Sequence, residues 1–335
     1  MKRLALAPLA SFVVVLVGLG CSPASVGPAD AGPSSDQACA DWSYARCTRV
    51  QSCSPTAMAF RYGDVGTCES LMKSSCLASL AAPSTGSTPT GLEACVQALP
   101  NWDCADYLFS QNPPPECQQT TGALATGGAC AFPAQCQSGF CAIVPGAACG
   151  SCATTPQPGD ACAQLTSCGF GLSCSTFSST CIAVAQPMAA CAPTQSCLPG
   201  TECIGANYTT GAPGICQTAG ESLGTVCSST THECDFYSGF TCNSQTLQCV
   251  AVQLVGAGQA CNYVASADQT VNCGSGGKCL SATPGAEGSC AGASPVGGPC
   301  DLVAGPECIS PSRCIVGPDG GTSGTCLVAD GTMCP

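Results

Sequence analysis

The feature that most limits what this chain can fold into is a cysteine frame that recurs from residue 121 to the end. Its openers are Cys130, Cys162, Cys191, Cys227, Cys261 and Cys300. Each is followed by two inner cysteines: Cys136 and Cys141, Cys168 and Cys174, Cys197 and Cys203, Cys234 and Cys242, Cys273 and Cys279, Cys308 and Cys314. A last cysteine closes the copy, at Cys152, Cys181, Cys216, Cys249, Cys290 and Cys326. A Gly stands three residues before five openers, at Gly127, Gly159, Gly224, Gly258 and Gly297, and Met188 takes that place in the third copy. Gly331-Thr332-Met333-Cys334 starts a seventh copy just before Pro335. Self-similarity at roughly thirty to forty residues marks a repeat array in which each copy is one small unit. Gly and Pro at fixed offsets supply positive-φ and rigid turn positions, so each copy is expected to be a short hairpin.

Composition says what must hold such copies. The chain carries 35 Cys, 40 Gly and 26 Pro against 2 Trp, 6 Tyr and 9 Phe, and large apolar residues are too sparse after residue 121 to bury a continuous interior. Bridges are expected in place of a core, which requires an oxidising compartment. The fold class predicted is small disulfide-rich: a helical eight-Cys domain over residues 37–120, then over residues 121–335 a string of six short hairpin-like cysteine-rich repeats with little regular secondary structure and the start of a seventh.

In residues 37–120 the cysteines recur at helical spacing. Cys39, Ser43, Arg46, Cys47, Val50 and Cys53 form one stripe, ended by Ser54-Pro55. Val65, Cys68, Leu71, Met72 and Cys76 form a second behind Asp64, a residue type that caps helices. Thr90 with Glu93 reads as a capping box ahead of Cys95, and Asp103 with Asp106 as a weaker one ahead of Tyr107. Four short helices are expected. Cys39, Cys47, Cys53, Cys68, Cys76, Cys95, Cys104 and Cys117 allow four bridges inside this domain. Trp42, Tyr44, Phe60, Tyr62, Trp102, Tyr107 and Phe109 are expected to form its small core; exposed together, they would make a ligand-binding surface instead.

Connectivity is not readable from spacing, and two registers stay open for the repeats. One interlaces first with third and second with fourth cysteine; the other bonds each closer to the next opener. The interlaced register strands Cys334 with one of Cys149 and Cys152, leaving the roles of those three unassigned and allowing an intermolecular bridge through Cys334.

Met1-Lys2-Arg3 followed by the apolar run Leu4 to Gly20 reads as a signal peptide over residues 1–20. The run closes Val17-Gly18-Leu19-Gly20-Cys21, which resembles the lipobox of bacterial lipoproteins, although Gly18 stands where that family usually places Leu. The resemblance implies lipid attachment at Cys21 and, from Ser22, sorting to the outer membrane or cell surface; secretion without an anchor is the other reading. Setting Cys21 aside leaves 34 cysteines, an even number. Residues 21–36 read as a flexible tether.

Gln137-Ser138-Gly139-Phe140, with its echoes before Cys174 and in Ser238-Gly239-Phe240-Thr241, resembles the Dickkopf N-terminal cysteine-rich module over residues 127–335. That family binds protein partners; here the resemblance implies the scaffold alone. The order of leader, eight-Cys helical domain and repeats is similar to the cysteine-rich exported lipoproteins of myxobacteria.

Several chemistries find no support in the residues. Lys and Arg number 8 against 20 Asp and Glu, and without Lys2 and Arg3 the charge of −12 becomes −14, which repels nucleic acid. His232 is the sole histidine and lies in a polar Thr-Thr-His-Glu stretch, so no Ser-His-Asp set assembles around it. Cys149-Gly150-Ser151-Cys152 lacks the second ligand pair of a zinc site and the context of a redox dithiol. No phosphate loop or acidic calcium loop is present, so neither cofactor nor metal is expected. Asn207-Tyr208-Thr209 is a glycosylation acceptor only in a eukaryotic host. The functional expectation is a non-enzymatic exported scaffold for adhesion or for binding a protein or glycan partner through loops such as Ile204 to Ile215 and Asn262 to Asn272. A structural envelope or matrix protein without a ligand is the alternative.

Overall fold

A computed structural model describes residues 32–334 apart from 163–167, 170–171, 175–177, 192–196, 199, 208–209, 211, 221, 228–233, 244, 265–268, 284–285 and 318. The leader, Cys21 and His232 therefore lie outside the described residues.

Among the described residues five α-helices follow from their caps. Ser34 opens α1 (Ser35–Cys53), its side chain accepting from the Gln37 amide. Ser54 ends α1 and opens α2 (Pro55–Arg61), with Pro55 in the first turn, where no amide donor is needed. Asp64 caps α3 (Val65–Ala81) through the Thr67 amide, which holds its carboxyl below the usual carboxylate range. The cap of α4 (Pro89–Ala98) is Thr88, accepting from the Gly91 amide, and not Thr90, because Pro89 fixes the first helical position. Asp103 opens α5 (Cys104–Leu108). Sequence periodicity missed α2, since seven residues are too few to show a stripe. Bridges Cys39–Cys76 and Cys47–Cys68 staple α1 antiparallel to α3. Cys53–Cys104 ties α1 to α5, and Cys95–Cys117 ties α4 to the 3-10 turn Pro115–Cys117.

Beyond residue 121 the chain forms many short, mostly antiparallel strands. In each of three sheets the strand carrying the closing cysteine lies in the middle: Gly150–Cys152 between Ala129–Cys130 and Cys141–Ala142, Gly214–Thr218 between Ala190–Cys191 and Thr201–Ile204, and Ser323–Leu327 between Pro299–Asp301 and Arg313–Val316. Third and closing cysteines sit directly opposite one another, as Cys141 to Cys152 and Cys314 to Cys326, yet they do not bond. Cys130 bonds Cys141 and Cys136 bonds Cys152. The same interlaced register recurs as Cys162–Cys174 with Cys168–Cys181, Cys191–Cys203 with Cys197–Cys216, and Cys227–Cys242 with Cys234–Cys249. It recurs again as Cys261–Cys279 with Cys273–Cys290 and Cys300–Cys314 with Cys308–Cys326. Side chains opposite one another point to the same face, so five of the six hairpins gather buried cysteines into a cluster that stands in for an apolar core.

One turn geometry recurs with them. The amides of Gly127, Gly159, Met188, Gly224, Gly258 and Gly297 donate to the carbonyls of Cys152, Cys181, Cys216, Cys249, Cys290 and Cys326 at 2.7–2.9 Å. All six donors have positive φ, and Met188, the sequence exception, takes 64° like its glycine counterparts.

These hairpins are not strung out. Residues 33–335 form one compact unit, and hairpins far apart in sequence dock on the helices. Ser275 and Gly276 donate their amides to the carbonyls of Ala59 and Phe60, satisfying the end of α2. A Cβ at Gly276 would lie 3.0 Å from the Arg61 carbonyl oxygen. Ser54 donates to the Tyr237 carbonyl at 2.6 Å, and Phe60 meets Phe236 edge-on at 5.4 Å. Ile309 packs against the buried Met58, Tyr62 and Cys68. The expectation of a string is corrected to a wrap: helix ends with unsatisfied carbonyls and half-buried aromatics offer partners that each small hairpin lacks internally.

Candidate binding cavity

Where helices and hairpins meet, a cavity of ≈ 550 Å³ opens. One wall is α1, which presents Trp42 and Arg46 one turn apart, with Leu92, Cys95 and Leu99 beside them. The Arg46 guanidinium lies 4.8 Å from the Trp42 ring centre and 6.0 Å from that of Tyr107, a cation–π stack. Tyr107 is buried, donates its hydroxyl to the Arg46 carbonyl at 2.9 Å, and meets Trp102 edge-on at 5.2 Å. Trp102 donates its indole N–H to the Gln111 carbonyl at 2.7 Å.

The opposite wall comes from the first and last hairpins: Phe132, Phe140 and Ile143, with Arg313. Arg313 Nη2 donates to the Ala131 carbonyl at 3.0 Å, while its Nη1 is buried without a partner. Burial pulls this guanidinium below its ordinary pKa. Hydroxyl and amide side chains complete the lining: Ser79, Ser87, Thr88, Ser110, Gln118, Gln119 and Thr120, with Glu116 as the carboxylate. Among the described residues the ion pairs are Lys73 with Asp36 and Lys278 with Glu307, each at 2.9 Å. Neither Arg46 nor Arg313 joins one.

Gln135 holds the far wall in place. It is buried, its Oε1 accepts from the Ala131 and Phe132 amides at 2.8 and 3.1 Å, and its Nε2 donates to the Pro83 carbonyl at 2.9 Å beyond the end of α3.

A second, shallower groove of ≈ 430 Å³ runs between α1 and α4 past Tyr44 and Glu93. Desolvation, then the charge of Asp41, pushes the Glu93 carboxyl up.

The predicted core aromatics divide. Tyr62, Trp102 and Tyr107 are buried; Tyr44 is 61% exposed; Phe60 and Phe109 reach out to Phe236 and Tyr237. In the predicted contact loops Ile204 pairs with Ile215 and Asn262 with Val271, while residues 208–209, 211 and 265–268 of those loops lie outside the described residues.

No protein-family model, curated protein or solved structure matches the chain.

All 34 described cysteines are bonded. Cys152 takes Cys136, and Cys149 bonds Cys334 inside the same chain. The expectation of an intermolecular bridge through Cys334 is therefore corrected: the two cysteines left over by the interlaced register meet because the last hairpin folds back on the first. The Sγ atoms of trios such as Cys130, Cys136 and Cys152 lie within 4.8 Å, the crowding of a thiolate metal site. They belong to disulfides, which present no thiolate to a metal. No described helix is long and apolar enough to cross a membrane.

Sequence reasoning placed Arg46 only on a helical stripe and passed over Arg313 and Gln135. A signal existed for the arginines, since cations are scarce in this acidic chain.

Proposed function

We propose that this chain is a non-enzymatic exported protein, anchored by lipid at Cys21, in which helical residues 37–120 and six cysteine-stapled copies in residues 121–335 form one rigid scaffold that binds a protein or glycan partner at the cell surface. The observation that carries this reading is the placement of exposed large apolar side chains at the stapled turns: Met188 at 76%, Leu223 at 68%, Val226 at 61% and Val303 at 71% exposed. Covalently fixed turns lose little conformational freedom when they dock, so apolar area presented on them converts well into affinity.

The test is saturable binding of the purified lipid-free protein to whole cells and to their extracellular polysaccharide. Replacing Met188, Leu223, Val226 and Val303 together by Ser should weaken binding about tenfold or more. Equal binding by this variant and the parent would overturn the reading. A ligand-free envelope protein is the second reading, favoured by the covalent closure through Cys149 and Cys334; it predicts no saturable binding at all.

A further inference from the structure

We infer that the cavity between α1, α4 and the first and last hairpins is a binding site for a short acidic oligosaccharide, one whose sugar rings carry carboxylates. The inference deepens the partner-binding reading and rests on it.

Charge is the first observation. In a chain of net charge −12, Arg46 and Arg313 line one cavity together with the single carboxylate Glu116. Arg313 retains unspent donor capacity, because Nη1 is buried with no partner while Nη2 holds the Ala131 carbonyl. A guanidinium is built to grip a carboxylate with paired donors. The rest of the lining selects the body of the ligand. Phe132 and Phe140 offer apolar faces across from Trp42; Thr88 and Gln119 are already engaged with the Gly91 amide and the Gly139 carbonyl, which leaves Ser110 and Gln118 to offer a hydroxyl and an amide. A flat aromatic acid would satisfy the arginines and leave these polar groups unpaired, whereas a neutral sugar would do the reverse. A sugar acid meets both demands. The cavity, at ≈ 550 Å³, is within the range of about 300–1,000 Å³ typical of small-ligand sites.

The test is isothermal titration of the lipid-free protein with trigalacturonate, neutral maltotriose and benzoate. Trigalacturonate should bind saturably and more weakly as salt rises; maltotriose and benzoate should bind about tenfold less tightly or worse. Arg313→Met should lose about tenfold in affinity for trigalacturonate and should narrow its preference over maltotriose. Because Arg313 also holds the Ala131 carbonyl, Ser79→Trp supplies a second arm. It fills the cavity from α3, removes no side-chain hydrogen bond observed at Ser79, and should abolish binding with the bridges unchanged on non-reducing peptide mapping.

The inference falls if the folded parent binds no trigalacturonate, if maltotriose or benzoate binds as tightly, or if Ser79→Trp leaves affinity unchanged. The turn-surface variant separates the two readings. Loss of cell binding in that variant, alongside failure of trigalacturonate, would leave the scaffold reading standing and remove only this site.

Discussion

Cys149 and Cys334 are bonded across 185 residues of chain, while the longest of the other bridges, Cys53–Cys104, spans 51. This one bond joins the end of the chain to the first hairpin. It is flanked by noncovalent contacts at the same seam: Val316 donates to the Gly146 carbonyl at 3.0 Å, and Ala82, Ala131, Phe132 and Ala329 form a buried cluster beside Cys334.

Replacing both residues by Ser should open the seam without leaving a thiol. Longer closed loops give more stabilisation, but the smaller bridges between residues 149 and 334 already shorten the effective loop, so we expect a loss of about 2–4 kcal/mol. Thermal unfolding should fall, and residues 328–334 should become sensitive to protease. An unchanged melting temperature and an unchanged digest would show that the noncovalent seam is sufficient.

Met188→Gly should stabilise the protein. A left-handed backbone costs a non-glycine residue roughly 1–2 kcal/mol, and added freedom of the unfolded chain returns roughly 0.5–1 of it, leaving a gain of about 0.5–1 kcal/mol. The reverse change, Gly224→Ala, should cost a similar amount through φ alone, since a Cβ there meets nothing within 4 Å. Denaturant midpoints check both, and a destabilised Met188→Gly would refute the turn argument.

Gln135→Ala should strand the Ala131 and Phe132 amides, which are buried. The expected cost is about 2–3 kcal/mol, with faster hydrogen exchange at those two amides. Protection at Ala131 equal to that of the parent would be inconsistent with the role assigned to Gln135.

The last hairpin should loosen in acid. Asp301 accepts from the Ala304 and Val303 amides at 2.8 and 2.9 Å and from the Ser323 and Thr322 hydroxyls, each at 2.8 Å. These bonds hold its carboxyl far below the usual carboxylate range. A depressed carboxylate stabilises the fold above its unfolded value of about 3.9 and loses that contribution as pH falls from there toward the folded value. Exchange of the Val303 and Ala304 amides, corrected for intrinsic rates, should lose protection between about pH 4 and pH 2. Asp301→Ala should lack that protection at neutral pH already. Protection independent of pH in the parent would count against the carboxylate as the organiser.

Much of the local structure was legible in residue types. Asp64 and Asp103 announce helix starts because short acceptors satisfy open amides, and glycines ahead of five of the six openers announce left-handed turns. Thr90 misled because Pro89 outranks it, and α2 escaped because its seven residues carry no periodic stripe. The cavity was far less legible: its lining draws on residues from Trp42 to Arg313, and no local pattern relates them.

By itself the sequence determined that covalent bonds would replace a core, since its cysteines are many and its large apolar residues few, and that turns would recur at fixed offsets, since backbone conformation is set residue by residue. Only the tertiary structure decided which cysteines bond. In the hairpins the opposed third and closing cysteines each turn to an earlier partner, a choice made by side-chain direction across strands rather than by spacing. It also decided that Cys149 and Cys334 close the chain, because loop closure depends weakly on length once docking has brought two ends together.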